Sequence, residues 1–364
     1  MKRASSTALL RFPYFKVRLV STSGGYDVVP NDKEVRVVDS SEPLVLGTEE
    51  TNGHYINLGY SGREIYIDVY HFLTDASGIT PFAKTLLYYY HFETTGCYPE
   101  KGDIETISDE IRKEETMDPT SNITDYPEKP DYEYHEIKAY NIGSKDKETN
   151  EEKKLYFLMI PEESFMSYVK SHNGSVNTTI AALFSKAIDR VRGHEDNSPI
   201  VPGVAMSTKR LIGAEKSYAN MVALANIEYG EDISNESIEE LNVIGRRELS
   251  EQIKMQNILY SLKSRPNLVS YLKSLPDDEA RKDVYYKMIL RMKARDSFFV
   301  SYLGKQDWST LKDDIESIFV VSEADNHSME INPYAVSGNF CISMAQNFGL
   351  PDYMNEFISL LFIL

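Results

Sequence analysis

One stretch in the first quarter of the chain alternates apolar and other side chains with a period of two. Ile65, Ile67 and Val69 share one phase of this alternation, which is typical of a β-strand with one buried face. His71 continues the same phase, so the pattern predicts that its imidazole points inward at the end of the strand. An inward imidazole there is either a general base or a core histidine whose hydrogen bonds are satisfied.

A helix is predicted after this strand. Thr80 is a suitable N-cap, and Pro81 fits the first turn because a helix start leaves its N–H groups without backbone partners. The stripe that we expect to be buried follows helical spacing, at Phe82, Leu86 and Tyr90. The chain therefore has a histidine, and a carboxylate four residues later at Asp75, where a strand gives way to a helix.

The rest of the chain predicts a mixture of strands and helices, and hence an α/β fold. Residues 154–160 are a nearly continuous apolar run, which predicts a strand buried on both faces. A helix is expected after Asn177 with Gly193 as its stop, and its apolar stripe contains Ile180, Phe184, Ala187, Ile188 and Val191. Further predicted elements are strand material from residue 200, helices over 237–294 broken at Pro266 and Pro276, and strands around 298–303, 318–322 and 340–345.

Length and cysteine content favour an intracellular protein. The 364 residues suffice for two domains of ordinary size. Cys97 and Cys341 give neither a disulfide framework nor the spacing of a metal site, which fits a reducing cytoplasm. The apolar stretches near the two ends are too short for a secretory core or a membrane span. We therefore expect a cytoplasmic location and no membrane span.

The charge argues against one class of partner. The formal net charge is −17, whereas nucleic-acid binding relies on clustered lysine and arginine. Residues 99–152 contribute 17 acidic and 7 basic side chains and are interrupted by prolines, which predicts mostly irregular structure. This acidic segment is either a docking site for a basic partner or a solvated crossover, and the crossover is the more common case.

The common catalytic motifs do not occur in this sequence. It contains no Gly-x-Ser-x-Gly nucleophile turn, no His-Glu-x-x-His metal pattern and no glycine-rich phosphate or dinucleotide loop. The residues therefore point to no metal and no dinucleotide or ATP site of the familiar kinds. His71 and Asp75 stay as the best candidates for chemistry.

The letters around His71 carry a family resemblance. Tyr-His-Phe-Leu-Thr-Asp-Ala-Ser-Gly, at residues 70–78, resembles the His-His-x-x-x-Asp-Gly signature of the chloramphenicol acetyltransferase-like superfamily. That superfamily includes peptide-synthetase condensation domains, plant BAHD acyltransferases and bacterial alcohol acetyltransferases. Residues 10–19, residues 201–220 with Arg210, and residues 300–307 look like further family segments in the expected order. The chain is most similar to the alcohol acetyltransferase-like branch.

The resemblance implies a fold and an activity. Members have two similar halves, each a mixed sheet covered by helices, with a tunnel between them, and here the halves would be residues 1–165 and 166–364. Donor and acceptor enter the tunnel from opposite ends. The implied activity is direct acyl transfer from coenzyme A, or from a carrier-bound thioester, to a small alcohol or amine. Coenzyme A would be a co-substrate rather than a permanently bound cofactor, and a carrier protein is a possible partner.

The resemblance also implies roles for individual residues. His71 would be the general base, while Asp75 and Gly78 would shape the motif loop, with the Asp75 carboxylate turned to an arginine. The residues that would line the tunnel are Tyr70, Ala76, Ser301, Tyr302, Asn339 and Ser343.

Several features depart from the family pattern. Tyr70 replaces the first histidine, on the face opposite the base, and Ala76 replaces a glycine whose bare backbone lets the substrate pass. No Asp-Phe-Gly-Trp-Gly segment occurs. Only eleven residues precede Phe12, whereas family members begin with an additional strand and a longer helix, so the resemblance implies either a shortened member or a start placed too late. The alternative to an enzyme is therefore a degenerate, non-catalytic relative that binds a partner or a carrier protein.

Overall fold

The computed structural model describes residues 1–22, 25–121, 123–133, 135, 137–143, 153–192, 196–230, 233–324, 327–349 and 352–362. The chain forms two compact units that are both discontinuous in sequence. The first comprises 1–124, 208–222 and 307–315, and the second comprises 125–207, 223–306 and 316–364. The boundaries of these compact units differ from the boundary between residues 165 and 166 that the family resemblance implies. The division into two family halves at that position stays a prediction.

The first unit combines helices with two small sheets. Strands β1 and β2 form an antiparallel pair, and in the second sheet β4 lies between a parallel β3 and an antiparallel β5. Its elements are α1 (Lys2–Arg11), β1 (Val17–Thr22), β2 (Gly25–Pro30), β3 (Val37–Asp39), β4 (Ile56–Ser61), β5 (Glu64–Val69), α2 (Ala76–Thr95) and α3 (Lys113–Thr116).

An aromatic cluster forms part of the core of the first unit. Phe12 and Phe15 follow α1, and both lie within 6 Å of the ring of Phe82 on α2, at 5.8 and 5.6 Å between centroids. Tyr218, from the inserted segment 208–222, packs on Phe12 at 5.3 Å. All four residues are buried. Segment 208–222 is therefore held in this unit by its core, although the chain on either side of it belongs to the second unit.

The second unit is built on a six-stranded mixed sheet with the strand order β6-β11-β10-β9-β7-β8. Strand β11 pairs antiparallel with β6 and β10, whereas β9 pairs parallel with β10 and β7. Its strands are β6 (Lys154–Pro161), β7 (Pro202–Ser207), β8 (Val222–Asn226), β9 (Phe298–Val300), β10 (Met329–Val336) and β11 (Asn339–Gln346). Its helices are α4 (Glu162–Ser171), α5 (Val176–Arg192), α6 (Ile238–Gln252), α7 (Met255–Ser274), α8 (Asp278–Arg295) and α9 (Tyr353–Phe362).

Helix α5 is the centre of the core of the second unit. It packs against α6, α9 and strands β7 and β9. The predicted stripe is buried at Ile180, Phe184, Ala187 and Ile188, but Val191 is exposed near the helix end. Gly193, the predicted stop, lies outside the described residues. No helix in the described part of the chain combines the length and the hydrophobicity that a membrane crossing requires.

The start of α2 was predicted wrongly. The helix begins at Ala76 and its N-cap is Asp75, whose side chain accepts a hydrogen bond from the Gly78 N–H. Thr80 lies inside the helix and donates its hydroxyl to the Ala76 carbonyl, and Pro81 also lies in the helix interior. An aspartate is as good an N-cap as threonine, so the earlier cap defines the start.

Other elements also differ from the predictions. Strand β6 is an edge strand, and its side chains Leu155, Phe157 and Met159 are exposed, so it is not buried on both faces. Residues 318–322 form no strand, and β9 ends at Val300. Helix α7 continues through Pro266, while the break predicted at Pro276 does separate α7 from α8. Apolar runs indicate strands but do not reveal which strand ends up at a sheet edge.

Replacing Phe357 with Ala should destabilise the second unit by about 3 to 5 kcal/mol, because Phe357 is fully buried and stacks on Phe184 with 4.3 Å between ring centroids. Urea unfolding, compared with the wild type, measures the change. Val243→Ala, at an exposed position of α6, is the control and should stay within about 0.5 kcal/mol. Equal effects of the two substitutions would contradict this account of the core.

Candidate functional site

The turn after β5 determines where His71 lies. Strand β5 ends at Val69, and the Leu73 N–H donates to the Tyr70 carbonyl at 3.0 Å, which closes a turn around His71. The side chain of His71 is exposed, so the prediction that it points inward was wrong. The two-residue period applies only while the chain stays extended, and here the strand ends before His71 is reached.

The protonation of the His71 ring follows from its hydrogen bond. Nδ1 lies 2.8 Å from the carbonyl oxygen of Thr74. Because a carbonyl oxygen only accepts hydrogen bonds, Nδ1 must carry the proton of the neutral ring and donate it to Thr74. Nε2 then holds the lone pair. An exposed imidazole in this tautomer can accept a proton at Nε2.

Asp75 organises the loop next to His71. Its buried carboxylate receives four hydrogen bonds. Oδ1 accepts from the Gly78 N–H at 2.9 Å, the Ser77 hydroxyl at 2.6 Å and the Lys209 ammonium at 2.8 Å. Oδ2 accepts from the Met221 N–H at 3.0 Å. Among the described residues these bonds hold the loop and segment 208–222, and none is made to the His71 ring.

The cation paired with Asp75 is a lysine. The sequence resemblance implied an arginine, but Arg210 is exposed and its neighbour Lys209 is buried in the ion pair. Nζ of Lys209 also donates to the Ser77 hydroxyl at 2.7 Å. Burial lowers the pKa of the Lys209 ammonium below its ordinary value, although the Asp75 carboxylate counteracts part of that effect. The pair is therefore a desolvated one whose partners depend on each other.

Glycine is required at position 78 for steric reasons. A Cβ atom there would lie 2.2 Å from the carbonyl oxygen of Tyr218 and 2.3 Å from the hydroxyl oxygen of Thr74. Gly78 thus allows segment 208–222 to approach helix α2 closely. Ala76 is the first residue of α2 and is half-buried.

A second buried polar cluster supports the same segment. Arg11 binds Glu115 through two bonds, at 2.9 and 3.0 Å, and Glu105 at 2.8 Å. The Tyr218 hydroxyl lies 2.9 Å from Glu115, 3.1 Å from Glu105 and 3.2 Å from Arg11. Burial and the Glu105 carboxylate raise the pKa of the Tyr218 phenol far above its ordinary value. Within the acidic segment 99–152, the Glu115 carboxylate is therefore buried in the core, and the Glu105 carboxylate is half-buried beside it.

Asn220 contacts the His71 loop directly. Its Nδ2 donates to the His71 carbonyl at 3.0 Å and lies 3.3 Å from Nδ1 of the His71 ring. The Asn220 Oδ1 accepts from the Val222 N–H at 3.2 Å. The family-like segments 10–19 and 201–220 contain Arg11, Lys209 and Asn220, but the sequence assigned no role to them. It did not point to Glu105 or Glu115. The separation of these residues along the chain leaves no local pattern that joins them.

The remaining predicted site residues lie in different places. Tyr70 is 54% exposed and packs on Tyr55 and Phe72 in the first unit. The other four belong to the second unit. Ser301 and Tyr302 follow β9 and are half-buried, Asn339 donates to the Glu316 carbonyl at 3.0 Å, and the buried Ser343 hydroxyl donates to the Val320 carbonyl. Their place in a substrate tunnel stays a prediction.

Comparison with solved structures identifies the fold. Polyketide synthase associated protein 5 from Mycobacterium tuberculosis has a TM-score of 0.59 and 14% identity, covering 99% of this chain and 89% of that chain. TRI101 from F. sporotrichioides, complexed with coenzyme A and T-2, has a TM-score of 0.61 and 13% identity, covering 99% and 88%. A mutant starter condensation domain of rhizomide synthetase, in complex with C8-CoA, has a TM-score of 0.58 and 11% identity, covering 100% of this chain and 86% of that chain.

These similarities confirm the predicted α/β class and the chloramphenicol acetyltransferase-like fold. No protein-family model and no curated protein matches the sequence. In the described residues, no group of three or more histidine, cysteine or acidic side chains is arranged to hold a metal ion.

Replacing Lys209 with Met should destabilise the protein by about 3 to 5 kcal/mol, because it leaves the buried Asp75 carboxylate without its cation. Urea unfolding measures the loss. The double variant Asp75→Asn/Lys209→Met removes both charges and should recover part of the stability. The single variant Asp75→Asn completes the comparison. A double variant whose loss equals the sum of the losses of Lys209→Met and Asp75→Asn would show that the pair is not coupled.

The Tyr14 phenol should make stability fall in alkali. It donates to the Leu73 carbonyl at 2.7 Å, and burial together with the Asp75 carboxylate raises the pKa of Tyr14 to about 12. Between pH of about 10 and 12 the unfolded chain loses this proton while the folded protein keeps it, so the free energy of unfolding decreases as pH rises. Urea midpoints across that range should fall less steeply for Tyr14→Phe than for the wild type. Tyr26→Phe, at an exposed position on β2, should follow the wild type.

Proposed function

We propose that this protein is an acyltransferase in which His71 is the general base. The observation that carries the proposal is the bond from His71 Nδ1 to the Thr74 carbonyl, which leaves the lone pair on Nε2 of an exposed ring. The acyl donor is a thioester of coenzyme A or of a carrier protein. The acceptor is a small alcohol or amine.

In the proposed reaction, Nε2 of His71 removes the proton of the acceptor hydroxyl or amine as that atom attacks the thioester carbonyl carbon. The tetrahedral intermediate then collapses, the carbon–sulfur bond breaks, and the imidazolium returns its proton to the departing thiolate. The products are an ester or amide and a free thiol. The Thr74 carbonyl accepts from Nδ1–H throughout and so stabilises the charge on the imidazolium.

Direct transfer needs no nucleophile on the protein. The sequence has no Gly-x-Ser-x-Gly turn, and the four bonds to the Asp75 carboxylate give it a structural role beside the base. TRI101 and the rhizomide synthetase domain were crystallised with coenzyme A or an acyl derivative, which supports a coenzyme A thioester as the proposed donor. The proposed substrate tunnel is lined by Tyr70, Ala76, Ser301, Tyr302, Asn339 and Ser343. The proposed location of the protein is the cytoplasm.

Replacing His71 with Gln should lower kcat for acyl transfer by roughly two to four orders of magnitude, because it removes the base. The assay measures thiol release from acetyl-coenzyme A with a panel of small primary alcohols and amines. His91→Gln alters a histidine that is paired with Asp314 on the surface of the same unit, and it should keep wild-type turnover.

A thermal-unfolding scan with coenzyme A separates binding from chemistry. Coenzyme A at about 100 times its dissociation constant should stabilise the wild type and His71→Gln alike, by roughly 2.7 kcal/mol. Undiminished turnover by His71→Gln would refute the proposed base. Binding of coenzyme A by a wild type that transfers no acyl group would favour the alternative, a non-catalytic relative that binds a partner or carrier.

A further inference from the structure

Asn220 is held in one orientation next to His71. The Val222 N–H donates to Oδ1 of Asn220 at 3.2 Å, so the amide nitrogen must face the His71 loop. There Nδ2 donates to the His71 carbonyl at 3.0 Å. Nδ1 of the ring already donates to Thr74, so the nearby Nδ2 cannot also donate to it while that tautomer persists. The amide therefore acts on the backbone of the base.

The segment that carries Asn220 is attached to the rest of the unit on both sides of that residue. The Tyr218 N–H donates to the Glu115 carbonyl at 2.9 Å, and the Tyr218 hydroxyl enters the cluster with Glu115 and Arg11. The Met221 N–H donates to the Asp75 carboxylate at 3.0 Å. The backbone of Asn220 thus has little freedom to move relative to the motif loop.

Burial makes these attachments strong. Arg11, Glu115 and Tyr218 are each no more than 2% exposed, so their charges and hydroxyl are satisfied mainly by one another. Removing a partner from such a cluster leaves a desolvated polar group behind, which is costly. A single hydrogen bond at the surface would restrain the segment much less.

We propose that the segment Ser217–Val222 positions the general base, with Asn220 as the residue that acts on His71 and the Tyr218 hydroxyl as its anchor. The inference rests on the proposed function for its kinetic consequence but not for its structural one. By holding the His71 carbonyl, Asn220 keeps the turn in the shape that directs Nδ1–H at Thr74 and the Nε2 lone pair outward. Loss of Asn220 should therefore impair the base without affecting substrate binding.

The kinetic test compares Asn220→Ala and Asn220→Leu with the wild type. Neither variant can donate to the His71 carbonyl, and the second keeps the size of the side chain. Both should lower kcat roughly 10- to 100-fold with KM within about twofold, since a small misplacement of a catalytic group has effects of that size. Asn355→Ala removes an exposed amide on α9 and should behave as the wild type.

The second readout does not require turnover. Nitrogen chemical shifts of ring-labelled histidine, assigned by comparison with His71→Gln, report which ring nitrogen of His71 carries the proton. In the wild type the proton should be on Nδ1, and in the Asn220 variants the population protonated on Nε2 should grow. This measurement stays valid if the wild type transfers no acyl group, so failure of the proposed function and failure of the positioning role can be told apart.

Tyr218→Phe tests the anchor because it removes only the hydroxyl. It should lower kcat less than Asn220→Ala and shift the ring protonation in the same direction, and the double variant should be no slower than Asn220→Ala alone. Three results would overturn the proposal: folded Asn220 variants with wild-type ring shifts, a rise in KM without a fall in kcat, or additive losses in the double variant.

Discussion

The site depends on one buried charge. The Asp75 carboxylate is removed from water and must therefore be compensated by donors inside the protein. Two of its donors, at Ser77 and Gly78, belong to its own helix start, while Lys209 and Met221 come from more than a hundred residues later. Satisfying this carboxylate consequently caps α2 and attaches segment 208–222 to the motif loop in the same step. The geometry around His71 follows from that attachment.

The arrangement separates two tasks that are often assigned together to a histidine and an aspartate. Among the described residues Asp75 makes no hydrogen bond to the imidazole and holds the loop, whereas the Thr74 carbonyl sets the ring protonation. Such a division suits the proposed direct acyl transfer, because a base that accepts and returns one proton needs a defined tautomer. Thr74 and Asp75 are neighbours in the chain, so the bonds that hold Asp75 also fix the Thr74 carbonyl that binds the His71 ring.

The acidic character of the chain has a structural component. Within the strongly acidic segment 99–152, Glu105 and Glu115 turn inward to Arg11, which lies at the end of the first helix. The pair of Arg11 and Glu115 resists rearrangement, since separating these two buried groups would leave both charges desolvated and unpaired. The proposed anchor of the His71 site, the Tyr218 hydroxyl, therefore binds Glu115 in a segment whose composition alone indicated a solvated crossover.

Local sequence determined the elements whose signals are local. The buried stripe of α5 follows from periodicity, because a helix repeats its pattern every few residues. The fold class follows from such periodic patterns together with the motif at His71 and Asp75. Only the tertiary structure decided that His71 leaves the strand and is exposed, and that β6 lies at an edge. The tertiary structure also pairs Asp75 with Lys209 rather than Arg210, and it places Asn220 and Tyr218 at the site. Apart from the local turn at His71, those outcomes depend on contacts between residues far apart in the chain, which a one-dimensional pattern does not encode.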